Sequence, residues 1–176
     1  NMADLAVKLG ELPAGVRSGF AVLLLVVFGI KAALFPLFFW LPASYHTPPA
    51  AIGAVFAGLL TKVGVYALLR VFTLLFRDAP PAVYTLILVI SAATMVVGLI
   101  GALTQRDFRR ILSFNLVGHI GYTTLGLGVS TRLALAASIL YLLHHILVIS
   151  NMFLVSGIFL RLRRTSHLGA LGSIYR

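Results

Sequence analysis

This chain of 176 residues lacks cysteine altogether and has very few acidic residues. Without cysteine it forms no disulfide and no thiolate metal site. Its four carboxylates, at Asp4, Glu11, Asp78 and Asp107, all lie outside the apolar runs. Only 10% of the residues are charged, whereas a water-soluble domain carries roughly 25%. The outer surface is therefore predicted to face lipid rather than water.

The positive charge has a different meaning here than on a soluble protein. A formal net charge of +10 on a soluble domain would suggest nucleic acid as the partner. In this chain the arginines lie between apolar runs, where membrane proteins place them for topology and for contact with anionic lipid headgroups. We therefore predict the lipid bilayer as a partner and no binding of nucleic acid.

Five apolar runs are long enough to cross a membrane as helices. They cover residues 18–41, 50–76, 82–104, 111–129 and 133–160. Residues 1–17 are predicted as a loop or interfacial segment, and residues 173–176 as the start of a following segment. Short connections make successive spans antiparallel neighbours, and no alternation with period two indicates a β-barrel. The predicted fold is all-α, a polytopic transmembrane helix bundle of about five spans that is a fragment of a larger fold.

Two lysines lie near the middle of predicted spans. Lys31 is in the first span and Lys62 is in the second, and no acidic residue lies near either in the sequence. A charge at the bilayer centre costs ~2.5–3.5 kcal/mol on insertion scales, and both lysines are too far from the span ends to reach the interface. Because the pKa of a lysine is adjustable whereas a guanidinium stays charged, these lysines are candidates for binding and releasing protons.

Pro36 follows Lys31 by just over one helical turn. A proline removes one helix hydrogen bond and clashes with the carbonyl four residues earlier, here that of Ala32. Broken helices at membrane depth often line ion sites, although an ordinary proline kink is the alternative. The first span is therefore predicted to be kinked or broken beside Lys31.

Polar residues form one stripe on each of the last two spans. The first stripe consists of Asn115, Gly118, His119 and Tyr122, and the second of Ser138, Tyr141 and His145. Histidine titrates near neutral pH, so His119, His145 and the neighbouring His144 are candidates for a proton relay. The alternative is interhelical hydrogen bonding that only fastens the bundle. His144 points about 100° away from His145 on a helix.

Other kinds of site find little support. Adjacent histidines on a helix diverge and no carboxylate joins them, so no metal site is predicted. A glycine-rich phosphate loop and a nucleophile elbow are both missing, so we predict neither a cofactor nor an enzyme. Trp40 and Tyr45 are predicted as anchors at the membrane interface.

The lysine motifs resemble a known family. Residues 31–42 read KAALFPLFFWLP, and residues 57–66 read AGLLTKVGVY. Residues 107–114 (DFRRILSF), 118–122 (GHIGY), the pair His144-His145 and residues 151–154 (NMFL) extend the match. Together these motifs are similar to the proton-conducting membrane subunits that include the D-type subunit of Mrp-type sodium/proton antiporters and the antiporter-like subunits of respiratory complex I.

The resemblance implies roles for the candidate residues. Lys31 would be the lysine of a broken helix, Lys62 the next lysine of a lateral proton path, and His119 and His145 its continuation. It further implies a bacterial plasma membrane, H⁺ and Na⁺ as transported ions, and other hydrophobic subunits of a multisubunit complex as partners. The turn at residues 44–49 favours the antiporter branch.

The chain also departs from the family pattern. Many antiporter members have a lysine four residues after the second histidine, where this chain has Ile149, so the relay in the last span is altered. Full members also have a glutamate in an earlier helix and a charged residue in a later broken helix. Three functions therefore stay open, namely a Na⁺/H⁺ antiporter subunit, a proton-pumping subunit of NADH–quinone oxidoreductase, and a structural anchor that transports nothing.

Overall fold

The computed structural model describes residues 2–77 and 79–170. Residue 78 and the predicted following segment, 173–176, lie outside the described residues. The helices are α1 (Met2–Gly10), α2 (Ala14–Ala32), α3 (Trp40–Tyr45), α4 (Ala50–Val55), α5 (Thr61–Leu74), α6 (Pro81–Leu103), α7 (Phe108–Val129) and α8 (Arg132–Arg163). Within the described ranges the only pairing of strand type is an isolated bridge between Asp107 and His167. The all-α prediction is confirmed.

Four helical segments are long and apolar enough to cross a membrane, namely Ala14–Ala32, Ala50–Leu74, Pro81–Leu103 and Arg132–Arg163. Helix α7 has 22 residues, a sufficient length, but it is less apolar than these four. It contacts α3, α5, α6 and α8, and these neighbours bury its polar residues Ser113, Thr123 and Thr124. The chain is a multi-pass helical membrane protein.

The segment before the first predicted span is helical over most of its length. Helix α1 covers Met2–Gly10, and α2 already begins at Ala14. Of the two alternatives for residues 1–17, the loop is therefore wrong. Leu9 of α1 packs against the buried apolar residues of the bundle, and this packing stabilises a short helix that isolated sequence patterns do not indicate.

The first predicted span is broken directly after Lys31. Helix α2 ends there, and Ala33 adopts the left-handed conformation (φ 63°, ψ 48°) that commonly ends helices. The non-helical stretch before α3 contains Pro36, and the Phe35 amide in it donates a hydrogen bond to the Thr94 hydroxyl of α6 at 2.9 Å. The predicted break in the first span is confirmed, and α6 holds the broken segment in place.

Helices α4 and α5 form one continuous helix because a π-helical turn, Phe56–Leu60, joins them. Such turns are rare, and they occur frequently at functional sites. Helix α8 packs against this turn. The Ser150 hydroxyl of α8 donates to the Ala54 carbonyl at 3.2 Å, and a Cβ added at Gly58 would overlap the Ser150 side chain.

Small residues bring α6 and α7 into backbone contact. A Cβ on Gly98 would overlap the backbone of Gly118, and the hydroxyls of Ser91 and Thr124 are hydrogen-bonded at 2.8 Å. Close approach of this kind is typical of helix interfaces in membranes. It fixes the position of His119, which directly follows Gly118.

Arg109 is buried, although its position in a basic turn predicts a place at the lipid headgroups. It is 5% exposed, and its Nη2 donates to the Pro48 carbonyl at 2.5 Å. Its guanidinium lies against α4, where a Cβ on Gly53 would come within 3.1 Å of Nη2. The Asp107 side chain caps α7 by accepting the amides of Arg109 and Arg110 at 3.0 and 3.1 Å. These contacts fix the turn between α3 and α4 to the start of α7.

Candidate proton-transfer site

Lys62 lies at the middle of the continuous helix Ala50–Leu74 and is 5% exposed. Its Nζ donates a hydrogen bond to the Ala57 carbonyl of the π-helical turn at 2.5 Å. In the part of the chain that the structure describes, no carboxylate is paired with this ammonium group. The charge of Lys62 is thus solvated by a peptide carbonyl but is not neutralised.

Two histidines and a tyrosine lie together between α7 and α8. His145 is 3% exposed, and its ring centroid is 4.5 Å from that of His119. The His119 Nδ1 is hydrogen-bonded to the Tyr141 hydroxyl, and the ring centroids of Tyr141 and His145 are 6.0 Å apart. His119 of one polar stripe and Tyr141 and His145 of the other are therefore in contact.

Lys62 lies near this cluster. Its acceptor residue Ala57 directly precedes Gly58, where an added Cβ would lie 3.7 Å from the carbonyl oxygen of Ile146, the residue after His145. The Nε2 of His145 is buried and has no hydrogen-bond partner among residues 2–77 and 79–170. Buried polar atoms are nearly always paired with protein or water, so this nitrogen is available to exchange a proton with a neighbour or a bound water.

A cavity of about 340 Å³ lies beside His119. It is lined by Met95, Val96, Leu99, Asn115, Gly118, His119, Tyr122 and Tyr141. It opens to the outside of the bundle and its lining is mostly apolar, with Val96, Leu99 and Tyr122 exposed. His119 thus borders a groove on the outer face of α6 and α7.

The remaining candidates are less buried than this cluster, although His144 adjoins it. Lys31 and His144 are exposed on the described part of the chain. Lys31 is nevertheless close to the helix that carries Lys62, because a Cβ on Gly64 would come within 2.9 Å of the Lys31 carbonyl carbon. The His144 ring approaches Tyr141 with centroids 6.0 Å apart. The structure thus brings together Lys62, His119 and His145, and leaves Lys31 and His144 at the surface.

Ile149 is 1% exposed and lies among the core residues. It occupies the position where the resemblance implies a lysine in many antiporter members. Because Ile149 is apolar, α8 has no buried lysine one turn after His145. His145 is therefore the ionisable residue that α8 buries in this region.

Sequence reasoning missed two features of the site. The first is the π-helical turn, which nothing in the sequence indicates except the two small residues Ala57 and Gly58. Its acceptor is a backbone carbonyl, which a pattern of side chains does not predict. The prediction of Tyr45 at the membrane interface is wrong, because it is 1% exposed and its hydroxyl donates to the Phe56 carbonyl at 3.2 Å. Leu41 and Pro42, about one helical turn before Tyr45, are also buried. Their apolar character is the sequence feature that agrees with the burial of Tyr45.

The family described as "NADH:quinone oxidoreductase/Mrp antiporter, TM" matches residues 10–175. The chain belongs to this family. The resemblance inferred from the lysine and histidine motifs is therefore confirmed, and the cluster of Lys62, His119 and His145 is a feature of this family member.

Curated relatives of this family member include antiporter subunits. The D-type subunit of a Na(+)/H(+) antiporter of Alkalihalophilus pseudofirmus is 51% identical over 100% of the chain. The corresponding Na(+)/H(+) antiporter protein of Bacillus subtilis, also a D-type subunit, is 40% identical, again over 100% of the chain. In both cases the chain covers 36% of the relative's length.

Two solved structures contain the same fold. The Mrp complex from Dietzia matches 93% of this family member with a TM-score of 0.83 and 34% identity, over 30% of the matched chain. The membrane-bound sulfane sulfur reductase, an archaeal respiratory membrane complex, matches 97% with a TM-score of 0.89 and 26% identity, over 35% of the matched chain. The bundle described above is therefore a part of a longer fold in these relatives.

Proposed function

We propose that this chain is part of a membrane subunit of a monovalent cation (Na⁺)/H⁺ antiporter and carries protons along buried lysine and histidine residues. The observation that carries the proposal is the Lys62 ammonium, which is buried without a paired carboxylate among the described residues and is bound to a turn that packs against the histidine-bearing helix α8. Ionisable residues inside a membrane are expensive and are usually functional.

The cluster suits stepwise proton movement because its charges are coupled. Like charges repel strongly in a low-dielectric interior, so a proton on His145 and a positive charge on Lys62 disfavour each other. Arrival of a proton at one group therefore favours release from the other, and His119 with Tyr141 extends the path towards the cavity beside α7. No redox or covalent step is required of these residues.

The relatives support the wider setting. Both curated relatives are named as subunits of Na(+)/H(+) antiporters, and one structural match is an Mrp complex. We accordingly propose other hydrophobic subunits as partners, H⁺ and Na⁺ as the transported ions, the bacterial plasma membrane as the location, and a transporter rather than an enzyme.

Lys31 has a separate place in the proposal. Its side chain is exposed at the helix break, and the curated relatives are much longer than this chain. We propose that Lys31 faces a part of the full-length protein outside this chain and passes protons between that part and Lys62.

The adjacent histidines of α8 provide a matched test. In the full-length protein assembled with its partner subunits, H145A is expected to reduce Na⁺/H⁺ exchange about 100-fold, because it removes a buried proton carrier. H144A removes the same imidazole from an exposed position, and its effect is expected to be smaller. Acridine-dye fluorescence in everted membrane vesicles measures exchange. Equal exchange in H145A and wild type would contradict the relay.

A second function is favoured by the match to an archaeal respiratory membrane complex. In that case the chain is part of a proton-pumping subunit coupled to redox chemistry in other subunits. Purification of the native complex discriminates between the two. Copurified subunits with flavin and iron–sulfur clusters support the respiratory function, and exclusively small hydrophobic partners support the antiporter.

A further inference from the structure

Tyr45 is the last residue of the short helix α3 and is one of the largest fully buried side chains. Its ring contacts Trp40 and Phe56, with centroid distances of 6.0 and 6.2 Å. Its hydroxyl donates a hydrogen bond to the Phe56 carbonyl at 3.2 Å. A tyrosine that only anchors a protein at the membrane interface would keep its hydroxyl near water, so this burial requires another explanation.

The Phe56 carbonyl belongs to the first residue of the π-helical turn. The next carbonyl along the chain, that of Ala57, accepts the hydrogen bond from the Lys62 Nζ. Tyr45 and Lys62 thus donate to consecutive carbonyls of one irregular turn. Because π-helical turns are rare and locally unfavourable, they persist where surrounding contacts hold them.

We propose that Tyr45 is a positioning residue for proton transfer at Lys62. The proposal rests on the proposed function. By donating to the Phe56 carbonyl, Tyr45 holds the turn in its π-helical form and keeps the Ala57 carbonyl directed at the Lys62 Nζ. A π-helical turn contains one residue more than an α-helical turn, so relaxation to α-helix would rotate Lys62 by about 100° relative to the residues before it. The ammonium group would then lose its position at the Ala57 carbonyl.

Helix α3 connects this turn to the other lysine. At its first residue, the Trp40 Nε1 donates to the Ile30 carbonyl at 3.0 Å, and Ile30 directly precedes Lys31. One six-residue helix therefore contacts both lysine-bearing segments, through Trp40 at one end and Tyr45 at the other. This arrangement fixes the end of α2 relative to the π-helical turn.

The variant Y45F in the full-length protein, assembled with its partner subunits, tests the proposal. It removes one oxygen atom and retains the ring that packs against Trp40 and Phe56. Exchange per folded protein is expected to fall about tenfold, because a misplaced reacting group loses its alignment. The solvent deuterium isotope effect on exchange is expected to rise, because proton transfer becomes the slower step. The apparent KM for Na⁺ is expected to stay unchanged.

Y84F is the matched control. The Tyr84 hydroxyl also donates to a backbone carbonyl, that of Phe76 at 2.9 Å, in the connection that follows α5. Y84F removes the same kind of hydrogen bond, so it is expected to keep the isotope effect of the wild type. The inference is overturned if Y45F exchanges as fast as wild type, or if its isotope effect equals that of Y84F.

The variant K62A, measured in parallel, distinguishes failure of the proposed function from failure of the proposed role of Tyr45. An active K62A protein would refute the proposed function itself. An inactive K62A protein together with a Y45F protein that behaves like Y84F would refute the role of Tyr45 alone.

Discussion

K62A in the full-length protein is expected to abolish Na⁺/H⁺ exchange in everted vesicles, with a loss of about 100-fold or more. The physical reason is that Lys62 is a buried cation held at the Ala57 carbonyl of the turn that packs against α8. K62M keeps a chain of similar length and removes the charge, so it is expected to be equally inactive. K62R keeps the charge but cannot release its proton, and it is expected to be inactive as well.

Arg70 provides the control on the same helix. It is exposed two helical turns beyond Lys62, so R70A changes the net charge by the same amount without touching the cluster. R70A is expected to retain exchange near the wild-type rate. Normal exchange in K62M and K62R would support the structural-anchor function, in which both lysines tolerate methionine and the complex still assembles.

G64A is expected to separate α2 from α5 and to destabilise the protein. A Cβ at Gly64 would lie 2.7 Å from the Ala32 amide nitrogen and 2.9 Å from the Lys31 carbonyl carbon. Both are backbone atoms, which cannot rotate away as a flexible side chain can. Overpacking of this kind costs about 1–3 kcal/mol. We expect a lower melting temperature of the detergent-purified full-length protein, together with reduced exchange, because Lys31 is displaced from the helix that carries Lys62.

G19A is the matched control for this prediction. Gly19 lies on α2 with no atom within 4 Å of an added Cβ. The same substitution there is expected to leave the melting temperature unchanged or to raise it, since alanine favours a helix by about 1 kcal/mol over glycine. If G64A and G19A have the same melting temperature, α2 and α5 do not approach each other as closely as in the structure.

Much of the site followed from two simple features of the sequence. Unpaired lysines at the middle of apolar runs indicated function because hydrocarbon does not solvate a charge. Helical spacing placed His119 and His145 on polar stripes of two successive spans. The roles of these residues remain predictions for the vesicle assays above.

Other details were beyond the sequence because they depend on how the helices pack. The exposure of Lys31 and His144 depends on which neighbours cover them, and no pattern within one helix contains that information. The sequence shows Arg109 only as one of several arginines in a basic turn. Its contacts with Pro48 and Gly53 depend on how α7 packs against the segment around α4.

The sequence by itself determined a lipid-facing helical bundle, a kink or break beside Lys31 and the set of ionisable residues within the apolar runs. These follow from local rules, since hydropathy, proline geometry and helical period act within single segments. Only the tertiary structure decided that Lys62 binds a carbonyl of a π-helical turn beside His119 and His145, and that Tyr45 contacts the same turn. Such contacts join residues far apart in the chain, and their geometry is set by the close approach of small residues between helices.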